Sequence, residues 1–188
     1  MNIKKELRRR LLNEGSGGHD YGCVMLFLPI EKEWWTKITE EIKEEDIYNP
    51  KGERTYGIQP YDEAHVTILY GIHKDVPDED VEALIKKMSA PEVTLKKISI
   101  FENDDKEFDV VKFDVSGKDL HKMNKMFTEL PHTNDFPDYH PHTTIAYVNK
   151  GTGKDYTRSL SDKEALTIKP DKIVYSKANG TQKEFKVK

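Results

Sequence analysis

The sequence predicts an α+β fold, and three observations carry that expectation. Runs of alternating apolar and polar residues, the two-residue period of a β-strand, are interleaved with runs of helical period. One phrase occurs twice: His65-Val66-Thr67-Ile68-Leu69-Tyr70 and His142-Thr143-Thr144-Ile145-Ala146-Tyr147 both read His-x-Thr-Ile-x-Tyr. Each copy ends the same series of a strand, a helix and a long polar loop.

Residues 2–14 read as an amphipathic helix, with Lys4, Lys5, Arg8, Arg9 and Arg10 interleaved with Leu7, Leu11 and Leu12. It stops at the flexible Gly15-Ser16-Gly17-Gly18. Residues 1–18 are therefore set apart from a single domain over 19–188, a length that suits one core. Tyr21 to Leu28 is a buried strand. Glu31 to Glu45 is a helix whose apolar stripe is Trp34, Trp35, Ile38 and Ile42. Asn49 to Asp62 is a long polar loop of the kind that forms lids, and the first motif strand follows at Ala64 to Ile72.

Asp78 to Met88 is a helix with Asp78 as its N-cap. Val93 to Phe101 and Phe108 to Val115 are strands joined by a polar turn. Lys118 to Leu130 is helical, Pro131 to Pro141 is a second polar loop, and the second motif strand runs from Thr143 to Val148. Glu164 to Ile168 and Lys172 to Lys177 are further strands. Ala178-Asn179-Gly180-Thr181 signals a hairpin into Gln182 to Val187. The parallel order of the halves implies a duplication. A pseudo-twofold axis would then set the two motif strands on opposite sides of one cleft.

On a regular strand His65 and Thr67 share a face, about 7 Å apart, as do His142 and Thr144. Val66, Ile68, Tyr70, Thr143, Ile145 and Tyr147 would face the other way. A shuffled chain of this composition contains about 0.5 copies of His-x-Thr, but on the order of 0.002 copies of the longer phrase. Two matched His/Thr pairs, with no nucleophilic cysteine and no carboxylate cluster, suit metal-free chemistry on a phosphodiester.

The bulk composition narrows the partners. The chain has 188 residues, 36% hydrophobic and 34% charged, and a net charge of −4. That balance argues against a large nucleic-acid surface, so no long nucleic acid is expected, while a small anionic ligand needs only a local positive site. No stretch approaches the ~20 apolar residues of a membrane span, and no signal core opens the chain, so neither a membrane nor export is expected. The single cysteine, Cys23, precludes an intrachain disulfide and fits a reducing cytoplasm.

The paired motifs resemble those of the 2H phosphoesterase superfamily, named for its two His-x-Thr/Ser histidines. The resemblance implies a bilobal fold, with two pseudo-symmetric antiparallel-sheet lobes and outer helices around a central cleft. It also implies metal-independent phosphodiester chemistry. Tyr21-Gly22-Cys23-Val24-Met25-Leu26, the first motif with Gly71, and Tyr139-His140-Pro141 leading into the second motif are similar to the anti-CBASS proteins of tailed bacteriophages. Those enzymes cut the cyclic oligonucleotide messengers with which bacteria trigger abortive infection. The resemblance therefore implies a cyclic oligonucleotide substrate and action in the cytoplasm of the infected bacterial host. Carried over by position, the catalytic set is His65, Thr67, His142 and Thr144. The resemblance further implies aromatic side chains against the nucleobases, for which Tyr21 and Tyr175 are the candidates.

One histidine would take the proton of a ribose 2′-OH and the other would protonate the departing 5′-oxygen, with the threonine hydroxyls on the nonbridging oxygens. Which histidine does which is left open. No cofactor and no metal are expected: His140 and His142, with His132, Asp135 and Asp138, lack a completing pattern, and they would leave His65 unexplained. Two other functions remain open. One is a phosphodiesterase on RNA 2′,3′-cyclic ends or 2′–5′ linkages. The other is a non-catalytic nucleotide-binding module, against which two intact motifs count.

Overall fold

A computed structural model describes residues 21–50, 56–89, 91–102, 106–134 and 138–187. The helix expected over residues 2–14 lies outside them. The strands are β1 (Gly22–Phe27), β2 (His65–Ile72), β3 (Val93–Phe101), β4 (Phe108–Ser116), β5 (His142–Asn149), β6 (Arg158–Ser159), β7 (Leu166–Ile168), β8 (Lys172–Ser176) and β9 (Gln182–Lys186). The helices are α1 (Lys32–Thr39), α2 (Asp78–Lys86) and α3 (Leu120–Phe127). One antiparallel sheet has the order β2-β1-β8-β9; the other runs β5-β4-β3, with β6 and β7 both pairing to β3. The fold is the expected α+β arrangement of two antiparallel sheets with helices. The lobes are not contiguous in sequence, because the first is completed by the C-terminal hairpin β8–β9. In that hairpin Gly180 takes φ 80°, which suits a residue without a Cβ, and Lys177 N–H donates to Thr181 O at 2.8 Å.

The apolar faces of both sheets meet one contiguous core. Val24, Leu26, Val66 and Ile68 come from the first sheet, and Ile98, Val111, Phe113 and Ile145 from the second. The halves exchange elements over this core. Helix α1 follows β1, yet Trp34 and Trp35 rest on Phe113 of the second sheet, with ring centroids at 5.4 and 6.0 Å. Full burial of Phe113 stabilises by about 1.5–3 kcal/mol. Helix α3 belongs to the second half, yet the Asn124 amide donates to Ile68 O on β2 at 2.7 Å. Helix α2 is tied to the C-terminal hairpin by Asp78–Lys177 and Glu82–Lys183 ion pairs.

The motif strands β2 and β5 are sheet edges, and an open edge invites further pairing. Each is covered by the other half's loop. Gln59 N–H donates to Ile145 O (2.8 Å) and Tyr147 N–H to Gly57 O (3.0 Å). Reciprocally, Thr133 N–H donates to Gly71 O (2.9 Å) and His73 N–H to Pro131 O (3.1 Å). Gly71 makes the second crossing possible. Its φ is +98°, and a Cβ there would lie 1.8 Å from Thr133 O.

Three helices are shorter than the apolar period predicts. Helix α1 stops at Thr39 rather than Glu45. Glu40, Glu41, Glu44, Glu45 and Asp46 would otherwise crowd the negative pole of the helix. Instead a short 3₁₀ turn, Glu44–Asp46, delivers Ile47 and Tyr48 to β5. Helices α2 and α3 end at Lys86 and Phe127 rather than Met88 and Leu130. Asp78 is the first residue of α2 and Pro77 is its N-cap; the Asp78 carboxylate is engaged by Lys177. Among the described residues, no helix is long and apolar enough to cross a membrane.

Candidate functional site

Strand alternation presents His65 and Thr67 on the face of β2 turned away from the shared core. The antiparallel register sets Phe27 opposite His65 and Met25 opposite Thr67. On β5 the same face carries His142 and Thr144, opposite Asp114 and Lys112 of β4. Both motif strands then depart from regular pairing at the same residue. Met25 pairs with Thr67 and Val24 with Leu69, so Ile68 is skipped; Lys112 pairs with Thr144 and Val111 with Ala146, so Ile145 is skipped. These are matched β-bulges. The backbone carbonyls of Ile68 and Ile145 accept from Asn124 and Gln59, each donor supplied by the opposite half.

The bulges correct the expected facing of the motif tyrosines. Beyond the extra residue the side-chain parity reverses, so Tyr70 joins Cys23, Met25, Phe27 and Val174. Likewise Tyr147 joins Phe108, Val110 and Phe101. The tyrosines thus lie on the histidine side of their sheets.

The histidines are held alike. His65 Nδ1 lies 2.8 Å from Glu63 O, and His142 Nδ1 lies 2.8 Å from His140 O. A carbonyl only accepts, so the proton sits on Nδ1 and the neutral ring offers its Nε2 lone pair. Two contacts tie β5 and the loop before it to β2: Thr143 Oγ1 donates to His65 O at 3.1 Å, and Tyr139 Oη donates to Thr67 O at 3.0 Å. Burial lowers the pKa of both imidazoles. At His65 the Glu63 carbonyl opposes that fall. At His142 burial dominates, the His140 carbonyl opposes, the charges of Lys112 and His65 lower it further, Asp114 raises it, and the result is about 4.

Each histidine also meets a phenylalanine that carries an ammonium. Phe27 stacks on His65 (5.5 Å between centroids) with Lys172 Nζ 4.8 Å from the Phe27 ring. Phe101 stands edge-on to His142 (4.9 Å) with Lys112 Nζ 4.2 Å from its ring. Lys112 also donates to Ser99 Oγ (2.7 Å) and to Asp114, and Ser99 donates to Asp114 (2.6 Å). None of these neighbours was singled out from the sequence. Lys112 and Asp114 do alternate with apolar residues in Phe108–Val115, but their place opposite Thr144 and His142 depends on strand register.

Tyr175, expected against a nucleobase, is not on this face. Its strand position pairs with Val24, and its side chain is 3% exposed in the core. Burial, and then Asp78, push its hydroxyl up to about 12. The reason is parity: on β8 it is Lys172 and Val174 that pair with Phe27 and Met25. Tyr21 lies at the other end of β1, six residues from Phe27, or about 20 Å along the strand. It meets Tyr70 at 6.1 Å and His73 at 5.9 Å. The structure therefore brings the two His/Thr pairs onto adjoining edge strands without bringing either candidate tyrosine to them. Among the described residues, no group of three or more His, Cys, Asp or Glu could hold a metal ion.

The family model described as anti-CBASS protein Acb1 matches residues 50–177, which includes both motifs. No curated protein matches the chain. Among solved structures, Kluyveromyces marxianus Usb1 with uridine monophosphate superposes with a TM-score of 0.58 at 9% identity, covering 90% of this chain and 99% of that one. E. coli LigT complexed with 3′-AMP gives 0.51 at 15% identity, covering 89% and 96%. A structure described as a phosphoesterase gives 0.51 at 14% identity, covering 88% and 95%. At such identities the likeness is one of fold.

Proposed function

The chain belongs to the anti-CBASS protein Acb1 family of 2H phosphoesterases, and from that premise we propose that it cuts 3′–5′ bonds of cyclic oligonucleotide second messengers without a metal. One observation carries the reading. Two imidazoles, each pinned through Nδ1 to a carbonyl two residues back, stand on adjoining edge strands with a threonine hydroxyl beside each. Such a pair can take a proton from one oxygen and give a proton to another in a single displacement.

In the first step the ribose 2′-oxygen forms a bond to phosphorus. Its proton passes to the Nε2 of one neutral imidazole. The bond from phosphorus to the 5′-oxygen breaks, and the second histidine, protonated, donates to that oxygen. The products are a 2′,3′-cyclic phosphate and a 5′-hydroxyl, and water can open the cyclic ester with the roles reversed. Each proton transfer contributes about 10²–10⁴ in rate. Thr67 and Thr144 donate to the nonbridging oxygens as charge develops there. Degrading such messengers would serve a phage inside the cytoplasm of its bacterial host.

The test is to offer, with chelator present, 3′–5′ cyclic dinucleotides and trinucleotides, their 2′-deoxy analogues, 2′–5′-linked isomers and RNA with 2′,3′-cyclic ends, identifying products by mass. The reading expects a linear product with a 2′,3′-cyclic end from the 3′–5′ ribose substrates. It expects no cleavage of the 2′-deoxy or 2′–5′ linkage. Rapid cleavage of the 2′-deoxy analogue would replace internal attack by direct hydrolysis, and cleavage of RNA ends alone would move the substrate class.

A further inference from the structure

The reaction is asymmetric: one histidine takes a proton while the other gives one. The site is nearly symmetric, and its duplication allows position-by-position comparison. Opposite His65 and Thr67 stand Phe27 and Met25; opposite His142 and Thr144 stand Asp114 and Lys112. The ion pair on β4 therefore has two uncharged side chains as its counterpart on β1.

The two charges of that pair are not equally screened. The Lys112 side chain is 6% exposed, whereas Asp114 is 44% exposed. A buried charge acts through a poor dielectric, while water screens an exposed one. The field of the pair at His142 is therefore net positive. The clamp is rigid: Ser99 and Asp114 hold Nζ on one side, and the Phe101 ring that meets His142 lies against the same ammonium. Burial alone would raise the Asp114 carboxyl. Hydrogen bonds from Lys112 and Ser99, with the charges of Lys112 and Lys97, bring it below the usual range, so it is ionised at neutral pH. Among the described residues, the other groups that act on His142 are His65 on β2 and His140, whose carbonyl accepts from Nδ1, while Lys97 on β3 reaches Asp114 at 4.0 Å. On the first lobe, the ammonium near His65 is Lys172, which is 30% exposed and paired to Glu184 at 3.3 Å.

We propose that Lys112 is a positioning residue that breaks the symmetry of the two-histidine site: its clamped ammonium favours the neutral form of His142, the form able to accept a proton, and acts far less on His65. This assignment rests on the two-histidine reading of the reaction, but its direct consequence, the titration of one imidazole, needs no substrate.

The experiment is an NMR titration of His142 and His65 in wild type and in Lys112→Met, Lys112→Arg, Asp114→Asn and the Lys112→Met/Asp114→Asn double variant. Removing a neighbouring cation shifts a pKa by about one unit or more. Lys112→Met should raise the His142 pKa by that amount and move His65 much less. Lys112→Arg should hold the wild-type value, and Asp114→Asn should lower it. If Lys112→Met does not fold, the double variant, which leaves no unpaired carboxylate, must titrate above Asp114→Asn. An unchanged His142 pKa, or equal shifts at both histidines, overturns the proposal. A selective shift in a protein that cuts no cyclic oligonucleotide upholds it while removing the substrate reading.

Discussion

Thr143 donates its hydroxyl to the backbone carbonyl of His65 at 3.1 Å, so the residue beside one motif histidine grips the strand that carries the other. Thr143 is 1% exposed, and strand alternation turns its side chain away from the face that carries His142 and Thr144. It therefore acts on the spacing of the histidines without reaching the substrate. Replacing it by valine keeps the shape and removes the donor from a part-buried carbonyl, at a cost of about 1 kcal/mol. Thr143→Val should unfold at lower denaturant and turn over more slowly, with Thr143→Ser close to wild type in both. Urea unfolding alongside steady-state kinetics checks this. A Thr143→Val variant that loses stability but keeps full turnover would mean the tie does not set the site geometry.

Gly71 is the second prediction. Its φ of +98° disfavours any L side chain, and a Cβ would meet Thr133 O at 1.8 Å. Gly71→Ala should cost at least about 2 kcal/mol, or prevent folding, because the loop covering the β2 edge must withdraw. Neighbouring Tyr70→Phe should be far milder. Thermal unfolding distinguishes the two, and an unperturbed Gly71→Ala would deny that this crossing joins the halves.

The acidity of the imidazoles gives the third. Both pKa values lie below 6.5 in the free protein, with His142 near 4. At pH 7 both rings are neutral, so the form with one proton grows as pH falls. The optimum of kcat/KM, which reports the free enzyme, should therefore lie on the acid side of pH 6.5; an optimum above 7 would count against the geometry. Stability has the same sign. Below 6.5 the unfolded chain takes up protons that folded His142 refuses, so stability falls as pH drops from about 6.5 toward 4. His142→Asn should weaken that dependence, measured as the change in urea midpoint between pH 7 and pH 5.

The sequence made His65, Thr67, His142 and Thr144 legible because strand period is local and the phrase is repeated. It did not reveal why the phrase ends in tyrosine. Ile68 and Ile145 are bulge residues, and the reversed parity that brings Tyr70 and Tyr147 to the histidine face arises from pairing with β1 and β4. The core position of Tyr175 is hidden from the sequence for a related reason. Its strand alternates plainly, but which alternation faces the histidines is decided by register against β1, more than 140 positions away in the chain. Lys112 was hidden in the same way. Helix ends were overrun because an apolar stripe continues past the point where carboxylates gather, as at Glu40 and Glu41.

The central claim is that the two matched histidines move the protons of phosphodiester cleavage. The direct measurement is kcat of His65→Ala and His142→Ala on a 3′–5′ cyclic dinucleotide with chelator present, with binding measured on the same samples. Each variant should fold, bind within a few-fold of wild type and lose at least about 10²-fold in turnover, with Thr67→Val and Thr144→Val less affected. Near-wild-type turnover in either histidine variant would contradict it.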